Sequence, residues 1–235
     1  MLRARNSTTS RVPAARVTTN LGVARLANDS FSTVWNDLSP NGYNGEDHTG
    51  GTWPFFDGVG DYVLAPPPYV KGGVGEPPLL PITADLTTAT VEAWCKPSGL
   101  AATMRVISLH SAASLNSLSL GVRNTGLLFF QVNNTIRADG LSPLVVGTWV
   151  HVVCVAATGS APVLYVNGVD DTGAASSSAY PYSPSQIGIG ATLYSAPLAT
   201  SQPFHGDIDT VRVYERILSP DEVLMNYNAG LAAHQ

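Results

Sequence analysis

Apolar and polar side chains alternate along most of this chain in short runs, each bounded by a cluster of Gly, Asn, Ser or Pro. The runs Thr90 to Trp94, Arg105 to Leu109, Leu115 to Val122, Leu127 to Val132, Trp149 to Ala156, Val163 to Val166 and Gln186 to Gly190 have the period of two that predicts β-strands. Asn124-Thr125-Gly126, Asn133-Asn134 and Asn167-Gly168 fall between such runs and predict tight hairpin turns. The last run starts at Ile208. Strict alternation puts Asp209, Val211 and Val213 on one face, and Ile208, Thr210, Arg212 and Tyr214 on the other. After it the pattern changes to a helix start. Ser219 stands at the N-cap, Pro220 at the first helical position and Glu222 three residues past the cap, with Leu218 and Val223 at the positions of a hydrophobic staple. Gly230 is the expected end of this helix.

Composition agrees with many short strands and turns. Of 235 residues only 12% are charged against 44% hydrophobic, and 22 are Gly and 17 Pro, a balance that fits one large all-β domain. The net charge of -5 is unevenly placed. Residues 1–28 hold Arg3, Arg5, Arg11, Arg16 and Arg25 and no acid, which leaves 7 basic against 17 acidic residues, or -10, for the remainder. Residues 1–20 lack any period and are expected to form a basic arm; residues 21–235 form the domain. Within the domain, residues 65–84 carry Pro66-Pro67-Pro68 and Gly72-Gly73, expected to be a surface insertion, since consecutive prolines cannot join a central sheet. No apolar run is long enough for a signal-peptide core or a membrane span, so the chain is expected to be made in a cytoplasm without a signal peptide and to have no membrane partner. Cys95 and Cys154 sit inside apparent core strands and are expected to be buried and reduced.

Four ordered motifs resemble one family. Phe204-x-Gly206-x-Ile208-Asp209-x-Val211-Arg212-Val213-Tyr214-x-Arg216-x-Leu218-Ser219-x-x-Glu222 resembles the closing signature of laminin G-like domains in the concanavalin A-like lectin and glucanase superfamily. Trp35-x-Asp37-x-Ser39 with Phe56-Asp57-Gly58-x-Gly60-Asp61-Tyr62-Val63 resembles its opening strands, Thr90-Val91-Glu92-Ala93-Trp94 a middle strand, and Trp149-x-His151-Val152 with Leu164 to Gly168 a later hairpin. The resemblance runs from about Leu21 to Gly230. It implies an all-β, two-sheet antiparallel β-sandwich, a concanavalin A-like jelly roll with a short C-terminal helix. It also implies a structural calcium at the sandwich edge, with Asp209 as side-chain ligand and a carbonyl near Gly58; alternatively Asp209 only accepts backbone hydrogen bonds at the turn. Carbohydrate binding, the family's best-known use, needs aromatic faces and nearby polar groups. Tyr180, Tyr182 and Tyr194 on long loops could supply the faces, or could simply pack on the body.

Catalytic signatures are sparse. Laminarinase-like relatives carry Glu-x-Asp-x-x-Glu on one strand, and no Glu of this sequence has an Asp two residues later. Asp207 and Asp209 have same-face spacing, but no third carboxylate follows before Glu215. Nucleophile-elbow, zinc-protease, Cys-x-x-Cys and phosphate-loop motifs are missing, so an enzyme is not expected. Five Arg without Lys or interleaved aromatics make a weak nucleic-acid signal. Two functions follow. One is a non-catalytic module fastened by Arg3, Arg5, Arg11 and Arg16 to an acidic protein surface in a larger assembly, such as a phage capsid decoration or tail-associated protein. The other is a lectin-like domain that binds glycans.

Overall fold

The computed structural model describes residues 21–27, 34–37, 45–47, 55–65, 87–110, 117–178, 186–194 and 199–235. Among them the strands are β1 (Leu21–Ala27), β2 (Val34–Asp37), β3 (Gly45–Asp47), β4 (Phe55–Asp57), β5 (Val63–Ala65), β6 (Thr88–Pro97), β7 (Met104–His110), β8 (Ser117–Val122) and β9 (Leu127–Val132). They continue with β10 (Thr135–Pro143), β11 (Val150–Ala157), β12 (Val163–Val166), β13 (Val169–Asp170), β14 (Thr172–Ala175), β15 (Gln186–Ile189), β16 (Thr192–Tyr194), β17 (Ala199–Ser201) and β18 (His205–Tyr214), followed by the helix α1 (Pro220–Leu231).

The pairing order is β13-β12-β11-β6-β18-β1-β2-β3-β5-β15-β7-β8-β9-β10-β14, with β4 added to β18. β2 pairs antiparallel with β1 on one side and β3 on the other, and there the ladder passes from a first sheet, β13 to β1, to a second, β3 to β14. The hairpin of β16 and β17 stands apart. The result is the two-sheet antiparallel sandwich that the family resemblance implied. Between the sheets, Val91, Ala93, Cys95, Val152, Cys154, Ile208, Val211 and Val213 pack against Ile107, Leu109, Leu118, Leu120, Leu128, Phe130 and Val132 in one apolar core. Cys95 and Cys154 are free and buried, and burial pushes the Cys95 thiol up to about 12. Such thiols are inert filling. The predicted hairpin turns have the required backbone: Asn133, Asn134, Asn167 and Gly168 all adopt positive φ.

The helix lies on the outer face of the first sheet. Leu218 and Val223, the staple pair, join Val153, Val155, Tyr165 and Tyr214 in a second apolar cluster there. The capping box is formed: the Ser219 hydroxyl accepts from Glu222 N at 3.3 Å, and Glu222 Oε2 accepts from Ser219 N at 2.8 Å. Arg216 adds a two-pronged hydrogen bond to Glu222, at 2.9 and 2.7 Å.

Three expectations are corrected. A bulge in β18 between Ile208 and Val211 inserts an extra residue against β6, so Ile208 turns to the core with Val211 and Val213, while Arg212 and Tyr214 stay on the outer side as alternation required. Gly230 does not end the helix, which runs to Leu231 with Ala232 as C-cap. The polar, Gly- and Ser-containing stretch from Asp170 to Ser185 reads in sequence as a loop, yet it begins with the end of β13 and the edge strand β14, whose exposed Ala174 and Ala175 give no apolar alternation to detect.

Candidate functional site

The second sheet has an outer face made by the polar members of its alternating strands. Cross-strand register places Arg105 of β7 opposite Gly121 of β8, Gly121 opposite Phe129 of β9, and Phe129 opposite Asp139 of β10, one row across four strands. Gly121 is needed for this row: a Cβ there would lie 2.4 Å from the Met104 carbonyl oxygen and 2.8 Å from the Phe129 ring. Above the ring stand two guanidinium groups, with Arg105 Cζ at 4.6 Å and Arg123 Cζ at 5.3 Å from its centroid. This is a cation–π arrangement on both counts. Arg105 donates through Nη2 to Gln131 Oε1 at 2.8 Å and through Nε to Thr192 Oγ1 at 3.2 Å. Burial, and then the Arg105 charge, push the neighbouring His110 ring down to about 4, so it is neutral at ordinary pH.

Arg123 and Asp139 close the row at its accessible end. Arg123 Nε and Nη2 donate to the two carboxylate oxygens at 2.6 and 2.9 Å, a planar fork whose side chains keep 32% and 29% of their surface in solvent. The Asp139 hydrogen bond raises the Arg123 pKa further above its ordinary value. Beside the fork is an open depression of about 250 Å³ lined by Ile136, Arg137, Asp139, Ala174, Ala175 and Ser176. It forms where β10 slips register against β9 between Ile136 and Ala138, which makes Arg137 a bulged residue at the β10–β14 edge.

A second polar cluster lies under α1 and is closed. Glu92, Arg212, His151 and Asn226 are all buried there. Arg212 Nη1 donates to Glu92 Oε1, while Asn226 Nδ2 donates to Glu92 Oε2 and to the Tyr214 hydroxyl oxygen, both at 2.9 Å. Burial opposes ionisation of Glu92, but Arg212 and His151 outweigh it and hold the carboxyl down at about 2. Next to this cluster the His234 ring stacks on Trp94, with centroids 4.2 Å apart and planes 2° apart, and its Nε2 lies 2.8 Å from Asp209 Oδ2. With its groups turned on one another beneath a helix, this cluster fastens α1 to the sheet.

The two residues expected to hold calcium, Asp209 and Gly58, have different neighbours along β18. Gly58 packs on His205, which faces Asp57, four residues along β18 from Asp209 and so roughly 13 Å away at about 3.3 Å per residue. Asp209 accepts from Thr210 Oγ1 at 3.0 Å and meets the His234 ring. No group of three or more His, Cys, Asp or Glu suited to a metal occurs among the described residues. Arg3, Arg5, Arg11 and Arg16, residues 66–84, Tyr180 and Tyr182 lie outside the described residues, and of Tyr194 only the backbone, in β16, is described. None of Arg105, Phe129, Arg123, Arg137 and Asp139 was anticipated. Their signal was faint: polar residues at the alternate positions of strongly apolar strands, which reads as an ordinary solvated face. No helix among the described residues is long and apolar enough to cross a membrane.

Solved structures share the fold at low identity. A mutant of Trypanosoma rangeli sialidase displaying trans-sialidase activity aligns with a TM-score of 0.66 and 18% identity over 93% of this chain, which spans only 34% of the sialidase. The CBM40 of Ruminococcus gnavus IT-sialidase, bound to α2,3-sialyllactose, aligns with a TM-score of 0.52 and 18% identity over 64% of this chain and 88% of that one. Domain 4 of AbnA, an extracellular GH43 arabinanase of Geobacillus stearothermophilus in complex with arabinotriose, aligns with a TM-score of 0.50 and 18% identity over 87% of this chain and 85% of that one. No curated protein matches the chain in sequence. Residues 43–224, which hold both sheets' central strands and the start of α1, match the laminin G family model described as the Concanavalin A-like lectin/glucanases superfamily, and the chain belongs to that family.

Proposed function

We propose that this chain is a non-catalytic glycan-binding module whose binding surface is the outer face of the second sheet. The observation that carries this is the Arg123–Asp139 fork, about one-third in solvent beside an open depression. A planar guanidinium–carboxylate pair offers donors and acceptors side by side, which matches the paired donor and acceptor character of neighbouring sugar hydroxyls. Two modules of the same fold carry bound sugars, α2,3-sialyllactose in the R. gnavus CBM40 and arabinotriose in the arabinanase domain. The non-catalytic part is supported by the missing Glu-x-Asp-x-x-Glu motif and by the occupation of the β18 carboxylates: Asp207 is paired with Lys96, and Asp209 with His234.

The basic leader on an acidic body supports a further role for residues 1–20: fastening the module to an acidic protein surface of a larger assembly, a virion among the candidates. Glycan binding and fastening are compatible, since they use different parts of the chain.

A glycan array followed by titration calorimetry on the hits tests the main reading. Arg123→Ala is expected to weaken binding about tenfold or more, since a charge-assisted hydrogen bond contributes about 1.5–3 kcal/mol. An array without a hit sinks the glycan reading, and release of cleaved product from a bound glycan sinks its non-catalytic part.

A further inference from the structure

Among the described residues Arg137 has no ion-pair or hydrogen-bond partner for its side chain, and its Nε is a buried polar atom left unsatisfied. A buried donor without an acceptor costs about 1–3 kcal/mol, so its persistence at the wall of an open depression calls for an explanation. The bulge in β10 supplies one. By inserting one residue between Ile136 and Ala138, it leaves Arg137 without a partner on β9, on the wall of the depression and on the same face as Asp139. The sheet ladder holds its main chain there, because Ser176 N donates to the Arg137 carbonyl at 2.8 Å. The acid in the same depression is already neutralised, as both Asp139 oxygens accept from Arg123. What the depression offers a ligand is therefore the Arg137 guanidinium, with Arg123 behind it. Arg137 is the one basic residue among those lining the depression, and Arg105 lies farther along the same face.

The geometry points to an anion subsite: Arg137 takes the carboxylate of an acidic sugar residue, and the module recognises carboxylated glycans over neutral ones. A guanidinium matches a carboxylate in two parallel hydrogen bonds, and supplying the missing acceptor removes the cost of the unsatisfied Nε. The depression limits how much of the ligand enters. Its volume of about 250 Å³ lies below the roughly 300–1,000 Å³ of sites that engulf drug-sized ligands, so one acidic sugar unit is held in it and the rest of the chain runs over the exposed Ala174, Ala175 and Ser176. This subsite rests on the glycan-binding reading above and adds a ligand class to it.

The test compares a glucuronate-containing oligosaccharide with its carboxyl-reduced counterpart, in which each carboxylate has become a primary alcohol, by titration calorimetry on the whole chain. Wild type is expected to bind the acidic form at least tenfold more tightly, with the difference shrinking as salt is raised. Arg137→Gln is expected to bind both forms alike, at the weaker affinity, with a melting temperature no lower than that of wild type because the substitution removes an unsatisfied buried Nε and breaks no ion pair. Equal binding of the two forms by wild type overturns the subsite and leaves the module a binder of neutral glycans. Preference for the acidic form that survives in Arg137→Gln overturns the assignment to Arg137. Failure of either form to bind, in a protein that also binds nothing on the array, overturns the subsite together with the glycan reading.

Discussion

At Gly230, α1 comes so close to the first sheet that a Cβ would lie 2.3 Å from Trp94 Nε1. In an open helix, replacing glycine by alanine stabilises by up to about 1 kcal/mol. Here the sign reverses, and Gly230→Ala is expected to destabilise by about 1–3 kcal/mol through overpacking, read as a lower urea midpoint with an unchanged slope. Glu92 gives a second residue-scale expectation. Its folded pKa of about 2 lies below the unfolded value of about 4.3, so the Glu92–Arg212 pair contributes stability above the unfolded value and loses it as pH falls toward 2. Glu222, held down at about 2 by the Arg216 hydrogen bond, adds to the same acid limb. Glu92→Gln should be less stable than wild type at pH 7, by about 3–5 kcal/mol, because Arg212 is left buried without its partner. Between pH 5 and pH 2 the variant should lose less stability than wild type does. Urea melts at three pH values check this, and parallel curves for the two proteins would remove Glu92 from the acid response.

The element whose start was most legible in the sequence is α1, because its determinants are local. Ser219, Pro220, Glu222, Leu218 and Val223 lie within a few residues and act on one another, so the cap, the box and the staple could all be placed without any tertiary knowledge. Its end was misplaced, since Gly230 answers to Trp94, far away in sequence. Strands were legible for the same reason as the cap, and hairpin turns at Asn133-Asn134 and Asn167-Gly168 followed from their tolerance of positive φ. Bulges were not. Whether β18, β7 or β10 inserts a residue depends on the partner strand's register, and those slips decide where Ile208 and Arg105 point and leave Arg137 without a β9 partner. The candidate site was illegible for a related reason: alternation tells which residues share a face, and says nothing of what covers that face. Arg105 looked like a solvated residue and is 4% exposed, because Thr192 and Gln131 come to it from other strands. At this scale Ser219→Ala removes one half of the capping box and is expected to cost about 1 kcal/mol. Circular dichroism melts would show it, and a loss of less than a few tenths would mean that Arg216 alone holds Glu222 in place.

For the whole molecule, stability should reside in the two apolar clusters, one between the sheets and one under α1. Residues 1–20 are largely polar and basic, and a segment of that composition has little apolar surface to contribute to either cluster. Deleting them takes away Arg3, Arg5, Arg11 and Arg16 and carries the net charge from -5 to -9. Removing a segment of that composition should shift the melting temperature by less than about 2 °C, since roughly 1 kcal/mol moves a domain of this size by about 2–4 °C. The same deletion should abolish salt-sensitive retention on an immobilised acidic protein, because exposed charges act over roughly 10 Å and are screened by salt. Glycan affinity, set on the outer face of the second sheet, should stay as it was. A fall of more than about 5 °C in the truncated protein would mean that residues 1–20 belong to the fold itself and are no tether, whereas unchanged retention would place the basic contact elsewhere on the domain, with the arginines around the β10 depression the first to be substituted.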